Sequence, residues 1–179
     1  MSPRTRVGED IQATLARDPA ARSPLEVFLT SPGVKALFWH RVAHRLWNAG
    51  WKLPARMIQA RYRRITGIEI HPGAQIGRRL VIDHGMGVVI GETASVGDDC
   101  LIYHAVTLGG KRPGDRNHSE GRRHPAVGNG VTIGAGALLL GDITVGEGAR
   151  IAAQAVVTKN VPPGALAAGV PATIREGEG

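Results

Sequence analysis

One apolar residue recurs at every sixth position of this chain between Ile70 and Val157. A helix repeats its apolar residues every 3.6 positions and a half-buried strand every second position, so neither element accounts for this period. A sustained repeat of six is typical of a parallel β-helix, in which each hexad forms one short side of a coil. The pattern therefore predicts an all-β parallel β-helix over residues 68–174. The positions that share the period are Ile70, Ile76, Ile82, Val88, Ala94, Cys100 and Val106, followed by Val127, Ile133, Leu139, Val145, Ile151 and Val157.

The repeat is interrupted once, between Val106 and Val127. These residues are 21 positions apart, which leaves 15 residues beyond one hexad. Because the period is the same on both sides, the sequence predicts a loop inserted at about residues 110–124. Insertions in a solenoid fall on one face, where binding often takes place. At three positions per coil, the repeat predicts a little over four coils, stacked about 4.8 Å apart.

Residues 1–67 carry helical patterns instead, and we expect them to form an α-helical cap. The first helical pattern ends at Asp18, because a residue that precedes a proline is pushed out of helical geometry. The clearest helix has Ser31 as its N-cap and Pro32 as its first residue. The predicted helices cover residues 9–17, a short stretch from residue 24, residues 32–49 and residues 54–66. Residues 175–179 read as a short polar tail.

Composition narrows the possible partners. The formal net charge is +7, but the basic residues are not interleaved with aromatic residues, and only 4% of the chain is aromatic. Nucleic-acid binding is therefore not expected, whereas a small polyanionic cofactor would account for the same charge. Cys100 occupies a position of the repeat, so it is interpreted as a small core residue.

The chain shows no signal for a membrane or for export. It has no run of 18 apolar residues, and its first residues lack the apolar segment of a signal peptide. We therefore expect a cytoplasmic protein without a membrane anchor.

Candidate chemistry lies beside the repeat positions, where side chains point away from the core. His84 follows Asp83 directly, and Glu92 lies further along the chain. An exposed histidine near carboxylates can act as a general base, because a carboxylate stabilises the imidazolium that forms. Histidines are also common on surfaces, so this cluster alone leaves catalysis open.

Motifs along nearly the whole chain resemble the bacterial serine O-acetyltransferase family of hexapeptide-repeat acyltransferases, in a form with a short cap. Their combination and order are more specific than any one of them, and Asp18-Pro19-Ala20 is similar to the cap motif. The motifs are residues 68–74 (IEIHPGA), 83–87 (DHGMG), 90–94 (IGETA), 106–110 (VTLGG), 123–125 (RHP) and 168–172 (AGVPA).

The resemblance implies a left-handed parallel β-helix that assembles as a homotrimer, with active sites between neighbouring coils. It also implies transfer of an acetyl group from acetyl-CoA to the hydroxyl of L-serine, which yields O-acetyl-L-serine for cysteine biosynthesis. His84 matches the family's general base and Glu69 its carboxylate partner, although other bacterial members often carry Asp at that position. No tightly bound cofactor and no metal are expected.

The resemblance also implies the binding residues. Arg123 and His124 match the side of the site that receives the serine carboxylate, and Asp83 and Asp18 match the side that receives the ammonium group. For Asp18, a purely structural role as the residue that ends a helix is an equal alternative. Acetyl-CoA is expected to extend along the coils, in contact with Gly110, Ala135, Ala153 and Lys159.

Other functions remain open from the residues. One is a hexapeptide acetyltransferase for a sugar or antibiotic hydroxyl, and another is a zinc lyase similar to γ-carbonic anhydrase, for which His84, His104, His118 and His124 supply candidate ligands. A non-catalytic scaffold is the third.

The resemblance implies partners as well. L-Cysteine is expected as a feedback inhibitor. The short cap leaves a dimer of trimers open beside the trimer. Weak or no association with O-acetylserine sulfhydrylase is expected, because the chain ends in Gly179, whereas family members that bind this partner end in isoleucine.

Overall fold

A computed structural model describes residues 3–111 and 121–176 of the chain. In these residues, helices occupy the N-terminal part and short strands the remainder. The helices are α1 (Pro3–Arg17), α2 (Pro24–Thr30), α3 (Pro32–Asn48) and α4 (Lys52–Thr66). Among the described residues, none of the helices has the length and apolar character needed to cross a bilayer.

The helix ends follow from their capping residues. The side-chain oxygens of Ser23 and Ser31 accept hydrogen bonds from the backbone of α2 and α3, and a proline is the first residue of each helix. This confirms the predicted starts of both helices. α4 begins two residues before the predicted Pro54, because proline is tolerated within the first turn of a helix. It ends at Gly67, whose φ of 71° suits glycine.

The strands are two to four residues long and form three sheets, which are the faces of a coil. As far as β13, successive strands pass from face 1 to face 2 to face 3, and β14 and β15 both belong to face 3. Strands on one face pair in parallel, except that β14 and β15 are antiparallel. Face 1 contains β1 (Glu69–Ile70), β4 (Val89–Ile90), β7 (Thr107–Gly109), β10 (Leu138–Leu140) and β13 (Val156–Val157); face 2 contains β2 (Gln75–Ile76), β5 (Ser95–Val96), β8 (Ala126–Val127) and β11 (Thr144–Val145); face 3 contains β3 (Val81–Ile82), β6 (Leu101–Ile102), β9 (Thr132–Ile133), β12 (Arg150–Ile151), β14 (Leu166–Gly169) and β15 (Ala172–Arg175).

The strand register corrects the predicted repeat at one place. Ile70 pairs with Ile90, and Ile90 pairs with Leu108. The step from Ile70 to Ile90 is two residues longer than the step from Ile90 to Leu108, so the first coil contains two extra residues. They lie within residues 83–88, between β3 and β4. The repeat positions predicted from Val88 to Val106 therefore lie just before the strands and not in them. They also point inward, each two positions before the inward residue of the following strand, and we call such residues the second inward set.

This shift also changes the length of the inserted loop. Leu108 and Val127 are the inward residues of β7 and β8, which follow one another on faces 1 and 2. Counted from Leu108 and not from Val106, the insertion is two residues shorter than predicted. Residues 112–120, which include His118, lie outside the described residues, as do residues 177–179 of the predicted tail.

Two inward positions per hexad form one continuous apolar core. Ile102, Leu108, Ile133 and Leu139 from the strands have no exposed surface, and the second inward set is equally buried. The Cys100 thiol belongs to that set and donates a hydrogen bond to the Gly128 carbonyl oxygen at 3.1 Å. Burial raises the pKa of this thiol, which agrees with its interpretation as a core residue.

The cap packs on the first coils through apolar and charged contacts. Ala36 and Leu37 of α3 join the core of the coils. Arg17 donates hydrogen bonds to the carbonyl oxygens of Asp99 and Cys100, at 2.8 and 3.0 Å. Within the cap, the buried Asp10 carboxylate pairs with the Arg41 guanidinium through two hydrogen bonds. The cap is thereby held in place next to β3, where the candidate site begins.

Gly33 of α3 lies in close contact with the first coil. A Cβ atom at this position would overlap the Ile82 carbonyl oxygen. Only a residue without a side chain allows α3 to lie this close to the residue that precedes Asp83.

We expect Gly33→Ala to destabilise the protein by about 1–3 kcal/mol, because the added methyl group forces the helix away from the coil. The free energy of unfolding, measured by urea denaturation, tests this. Gly8→Ala in α1 is the matched control, since a Cβ there meets nothing within 4 Å, and it should stabilise by about 0.5–1 kcal/mol. Equal effects of the two substitutions would contradict the close approach.

Candidate active site

A cavity of about 450 Å³ lies between the cap and face 3, and it brings together three of the predicted site residues. Asp18, Asp83 and His84 line it, together with Tyr103. Asp18 comes from the end of α1, and Asp83 and His84 follow β3. The two roles weighed for Asp18 are compatible here, because its Oδ1 also accepts a hydrogen bond from the Ala20 amide at 2.8 Å.

His84 owes its exposed position to the two extra residues of the first coil. Its φ of 58° lies in the left-handed region, and Gly85 follows with a φ of 74°. A non-glycine residue in this region is uncommon and often marks a functional site. The His84 side chain is 72% exposed, and its Nε2 lies 3.8 Å from the Asp83 carboxylate. The turn thus holds an imidazole at the mouth of the cavity, beside a carboxylate.

A second imidazole stands next to His84. The ring centroids of His84 and His104 are 5.8 Å apart and the rings are nearly perpendicular. His104 lies on the second coil at the 3–1 corner, which we define as residues 83–88, 103–106, 134–137 and 152–155. Sequence reasoning named His104 only as a candidate zinc ligand, because the proximity of coils one and two is not visible in the chain.

Glu69 does not reach His84 within one chain. Its carboxylate accepts a hydrogen bond from Gln59 at 3.1 Å and pairs with Arg63 at 3.0 Å, both from α4. Among the described residues, no hydrogen bond or ion pair joins Glu69 to His84. The predicted pair is therefore absent from the single chain, because α4 covers this part of face 1 and supplies competing partners.

Arg123 and His124 lie at a different edge, the 1–2 corner, which we define as residues 71–74, 91–94, 110–111, 121–125, 141–143 and 158–160. Arg123 Nη2 pairs with the Glu92 carboxylate at 3.1 Å. The His124 ring lies against Gly91, where a Cβ atom would overlap it, and only 8% of the residue is exposed. Burial lowers the pKa of His124, and the neighbouring Arg123 charge lowers it further.

The candidate residues thus form two groups in one chain. Asp18, Asp83 and His84 surround the cavity by the 3–1 corner, while Arg123 and His124 belong to the 1–2 corner. A triangular coil separates its corners by a whole face, so one chain presents two halves of the predicted site and not a closed site.

Comparison with known proteins identifies the family. The model of the bacterial transferase hexapeptide family (six repeats) matches residues 124–159. The serine acetyltransferase of Mycobacterium tuberculosis is 54% identical over 95% of this chain and 72% of its own length. The chain belongs to the serine acetyltransferase family. The Helicobacter pylori (strain J99) serine acetyltransferase is 52% identical over 90% of this chain and 92% of its own length.

Solved structures of serine acetyltransferases share the fold. The Vibrio cholerae enzyme superposes with a TM-score of 0.90 at 45% identity, covering 96% of this chain and 65% of its own. The soybean serine acetyltransferase complexed with serine superposes with a TM-score of 0.90 at 42% identity, covering 97% of this chain and 70% of its own. This chain therefore spans about two thirds of the length of both solved chains.

In this member of the serine acetyltransferase family, the residues predicted to contact acetyl-CoA divide between the same two corners. Ala135 and Ala153 lie at the 3–1 corner, where the Gln154 amide donates to the Ala135 carbonyl oxygen of the coil before it. Gly110 and the exposed Lys159 lie at the 1–2 corner. The division repeats the one seen for the residues predicted to bind serine.

Metal binding requires several ligating side chains close together. Within residues 3–111 and 121–176, no three His, Cys, Asp or Glu side chains lie together in a way that could hold a metal ion. His118, one of the candidate zinc ligands, falls outside these ranges.

The buried His40 and the half-buried His71 are expected to make the stability of the fold depend on pH. Burial lowers the pKa of His40 to about 3 and that of His71 to about 4. In the unfolded chain a histidine has its ordinary pKa of about 6.5. Between these values the unfolded state binds more protons than the folded state, so unfolding takes up protons.

We therefore expect the free energy of unfolding to fall as the pH decreases from about 6.5 to about 4. Urea denaturation at a series of pH values and one protein concentration measures this. His71→Asn is the matched variant, because its Oδ1 can still accept the Gly73 amide hydrogen bond that His71 Nδ1 accepts at 3.0 Å. It should make the dependence shallower. A slope unchanged by the substitution would show that His71 does not contribute.

Proposed function

We propose that this chain is a serine O-acetyltransferase, which transfers the acetyl group of acetyl-CoA to L-serine and yields O-acetyl-L-serine for cysteine biosynthesis. The observation that carries the proposal is the cavity that joins Asp18, Asp83 and His84 in a chain 54% identical to a serine acetyltransferase over 95% of its length. These three residues offer two carboxylates and one imidazole, which suit an ammonium group and a hydroxyl group.

In the proposed reaction His84 is the general base. A serine hydroxyl is a weak nucleophile at neutral pH, so its proton has to be removed as it attacks. The serine oxygen forms a bond to the acetyl carbonyl carbon while the His84 imidazole takes the hydroxyl proton. The carbon–sulfur bond then breaks, and the imidazolium returns the proton to the departing CoA sulfur. His84 is 72% exposed in the single chain, so both substrates can reach it.

The charges of the remaining residues match the two ends of serine. Asp18 and Asp83 bind the ammonium group from the cavity side. Arg123 and His124 bind the carboxylate, and a guanidinium is well suited to it because it can donate two parallel hydrogen bonds. In the single chain Arg123 pairs with Glu92 at 3.1 Å, so the serine carboxylate competes with Glu92 or shares the cation.

The division of these residues between two corners supports a site shared between protomers. In the proposed homotrimer of left-handed β-helices, the 3–1 corner of one protomer lies against the 1–2 corner of the next, which is a heterologous, ring-closing contact. This arrangement unites His84 and Asp83 with Arg123 and His124 of the neighbour. A dimer of trimers stays open.

The role of Glu69 is proposed for the assembled molecule. In the single chain its carboxylate is engaged by Gln59 and Arg63. For Glu69 to stabilise the His84 imidazolium, the assembly has to bring the two groups together. Within one chain Asp83, at 3.8 Å from His84 Nε2, is the carboxylate that lies beside the base.

Acetyl-CoA is proposed as a co-substrate that is not held as a tightly bound cofactor. Its pantetheine arm would run along the 3–1 corner past Ala135 and Ala153, where small side chains allow it to approach the backbone. Gly110 and Lys159 of the neighbouring protomer would line the other side, with the lysine near the phosphates. The division of these four residues between two corners supports this groove.

L-Cysteine is proposed as a competitive inhibitor, since it has the same ammonium and carboxylate groups as serine. Among the related structures, a serine acetyltransferase complex with cysteine superposes on this chain with a TM-score of 0.92 at 40% identity. A cytoplasmic location belongs to the same proposal. Weak or no binding of O-acetylserine sulfhydrylase stays a prediction, because residues 177–179 lie outside the described residues.

Free-thiol detection of CoA tests the reaction. With acetyl-CoA present, we expect CoA release to depend on L-serine and to be absent with sugar acceptors. His84→Ala should lower kcat by about 10²–10⁴-fold, the usual contribution of a general base. Retention of more than a tenth of the wild-type kcat in a correctly assembled protein would exclude His84 as the base.

Mixing two impaired variants tests the shared site. In a mixed trimer of His84→Ala and Arg123→Ala chains, some sites combine the intact 3–1 corner of one chain with the intact 1–2 corner of the other. At low serine concentration, co-expressed equal amounts should recover about a quarter of wild-type activity, the fraction expected for random assembly across a heterologous interface. Native mass spectrometry verifies mixed assembly. No recovery in verified mixed trimers would place the whole site within one chain.

A further inference from the structure

Thr93, at the 1–2 corner, contacts both residues proposed to bind the serine carboxylate. Its Oγ1 accepts a hydrogen bond from the Arg123 amide at 3.0 Å. The same Oγ1 lies 2.8 Å from His124 Nδ1, and the Thr93 amide donates to that nitrogen at 3.3 Å. One threonine thus connects the backbone of Arg123 with the ring of His124, although both lie far from it in the sequence.

These contacts determine which nitrogen of His124 carries its proton. A backbone amide can only donate, so His124 Nδ1 has to be an acceptor and carries no hydrogen. The Thr93 hydroxyl then donates its own proton to Nδ1 and uses its lone pair for the Arg123 amide. A neutral imidazole with a bare Nδ1 has its hydrogen on Nε2. The ring therefore presents a hydrogen-bond donor at Nε2.

The surroundings of His124 favour this neutral form and prevent the ring from turning over. The ring is pressed against Gly91, and the residue is 8% exposed. The charged and titratable groups that act on it are Arg123, Glu92 and His71. Burial and the Arg123 cation both disfavour a second proton on the ring, whereas the Glu92 carboxylate favours it, and the net effect is a lowered pKa of His124.

We propose that Thr93 is a positioning residue of the serine site, which fixes His124 as the Nε2–H tautomer and ties it to the backbone of Arg123. The inference rests on the proposed function, in which His124 and Arg123 receive the serine carboxylate. Arg123 then provides the cation of this half-site, and His124 provides a neutral donor whose direction is set by Thr93.

This assignment has a consequence for substrate binding. Because His124 binds as a neutral donor, serine binding does not require its protonation, and the KM for serine should vary little with pH near neutrality. Without the Thr93 hydroxyl, Nδ1 loses one of its two donors, and the ring can take up a proton or reorient. The contribution of His124 to serine binding then becomes smaller and dependent on pH.

Paired substitutions at Thr93 test the proposal. Thr93→Val removes the hydroxyl and keeps the branched shape, whereas Thr93→Ser keeps the hydroxyl. We expect Thr93→Val to raise the KM for serine by roughly 3–10-fold, the loss expected from one hydrogen bond, with a smaller change in kcat. Thr93→Ser should restore KM to within about twofold, since it keeps that bond. Thr93→Ala is a second variant without the hydroxyl, should valine prevent folding.

A spectroscopic measurement separates this proposal from the proposed function. Long-range ¹⁵N–¹H correlation spectra of the full chain, labelled at histidine and assigned with His124→Gln, report the tautomer without any substrate. We expect Nε2–H for His124 in the wild type and in Thr93→Ser, and an altered signal in Thr93→Val. A wild-type Nδ1–H tautomer, or an unchanged His124 signal and KM in folded Thr93→Val, would overturn the role of Thr93. The expected spectra without serine-dependent activity in any form would support the Thr93 contact and count against the proposed function.

Discussion

The stacking of coils by parallel main-chain hydrogen bonds is the constraint on which the rest of this structure depends. Each strand has only two to four residues, so no strand is stable alone, and each coil relies on the coils above and below it. Stacking in register requires two inward apolar residues per hexad and small residues where corners approach. In the described coils, charged side chains and histidines are thereby directed to a corner or an outer face, and the candidate site residues of the coils lie there.

The coil itself was predictable because a period of six fits neither an α-helix nor an ordinary β-strand. The exact register was not, because the inward strand residues and the positions two residues earlier are equally apolar and equally buried. A count of every sixth residue from Ile70 follows the inward strand residues at first. It changes to the second inward set at Val88 and returns to the strand residues at Val127. The strand pairing of the first two coils, such as that of Ile70 with Ile90, reveals the two extra residues that lie between β3 and β4.

The site was predictable in part. Asp83 and His84 are neighbours in sequence. The family motifs at residues 18–20 and 123–125 added Asp18, Arg123 and His124 to the predicted site. That these residues form two groups follows from the faces of the coil, which a list of motifs does not contain. The partners of Glu69 come from α4, whose packing over face 1 has no sequence signature. Thr93 was not singled out, because a threonine carries no distinctive chemistry until its neighbours are known.

The two extra residues at the 3–1 corner give the chain an irregular step in an otherwise repetitive column. Because each coil contacts only its neighbours, the number of coils beyond that step can change without altering the turn that presents His84. The stack therefore separates two variables: the irregular step sets where the His84 imidazole is exposed, and the number of coils sets the length of the corners, in increments of about 4.8 Å. A solenoid of this kind can become longer or shorter while one exposed side chain keeps its position.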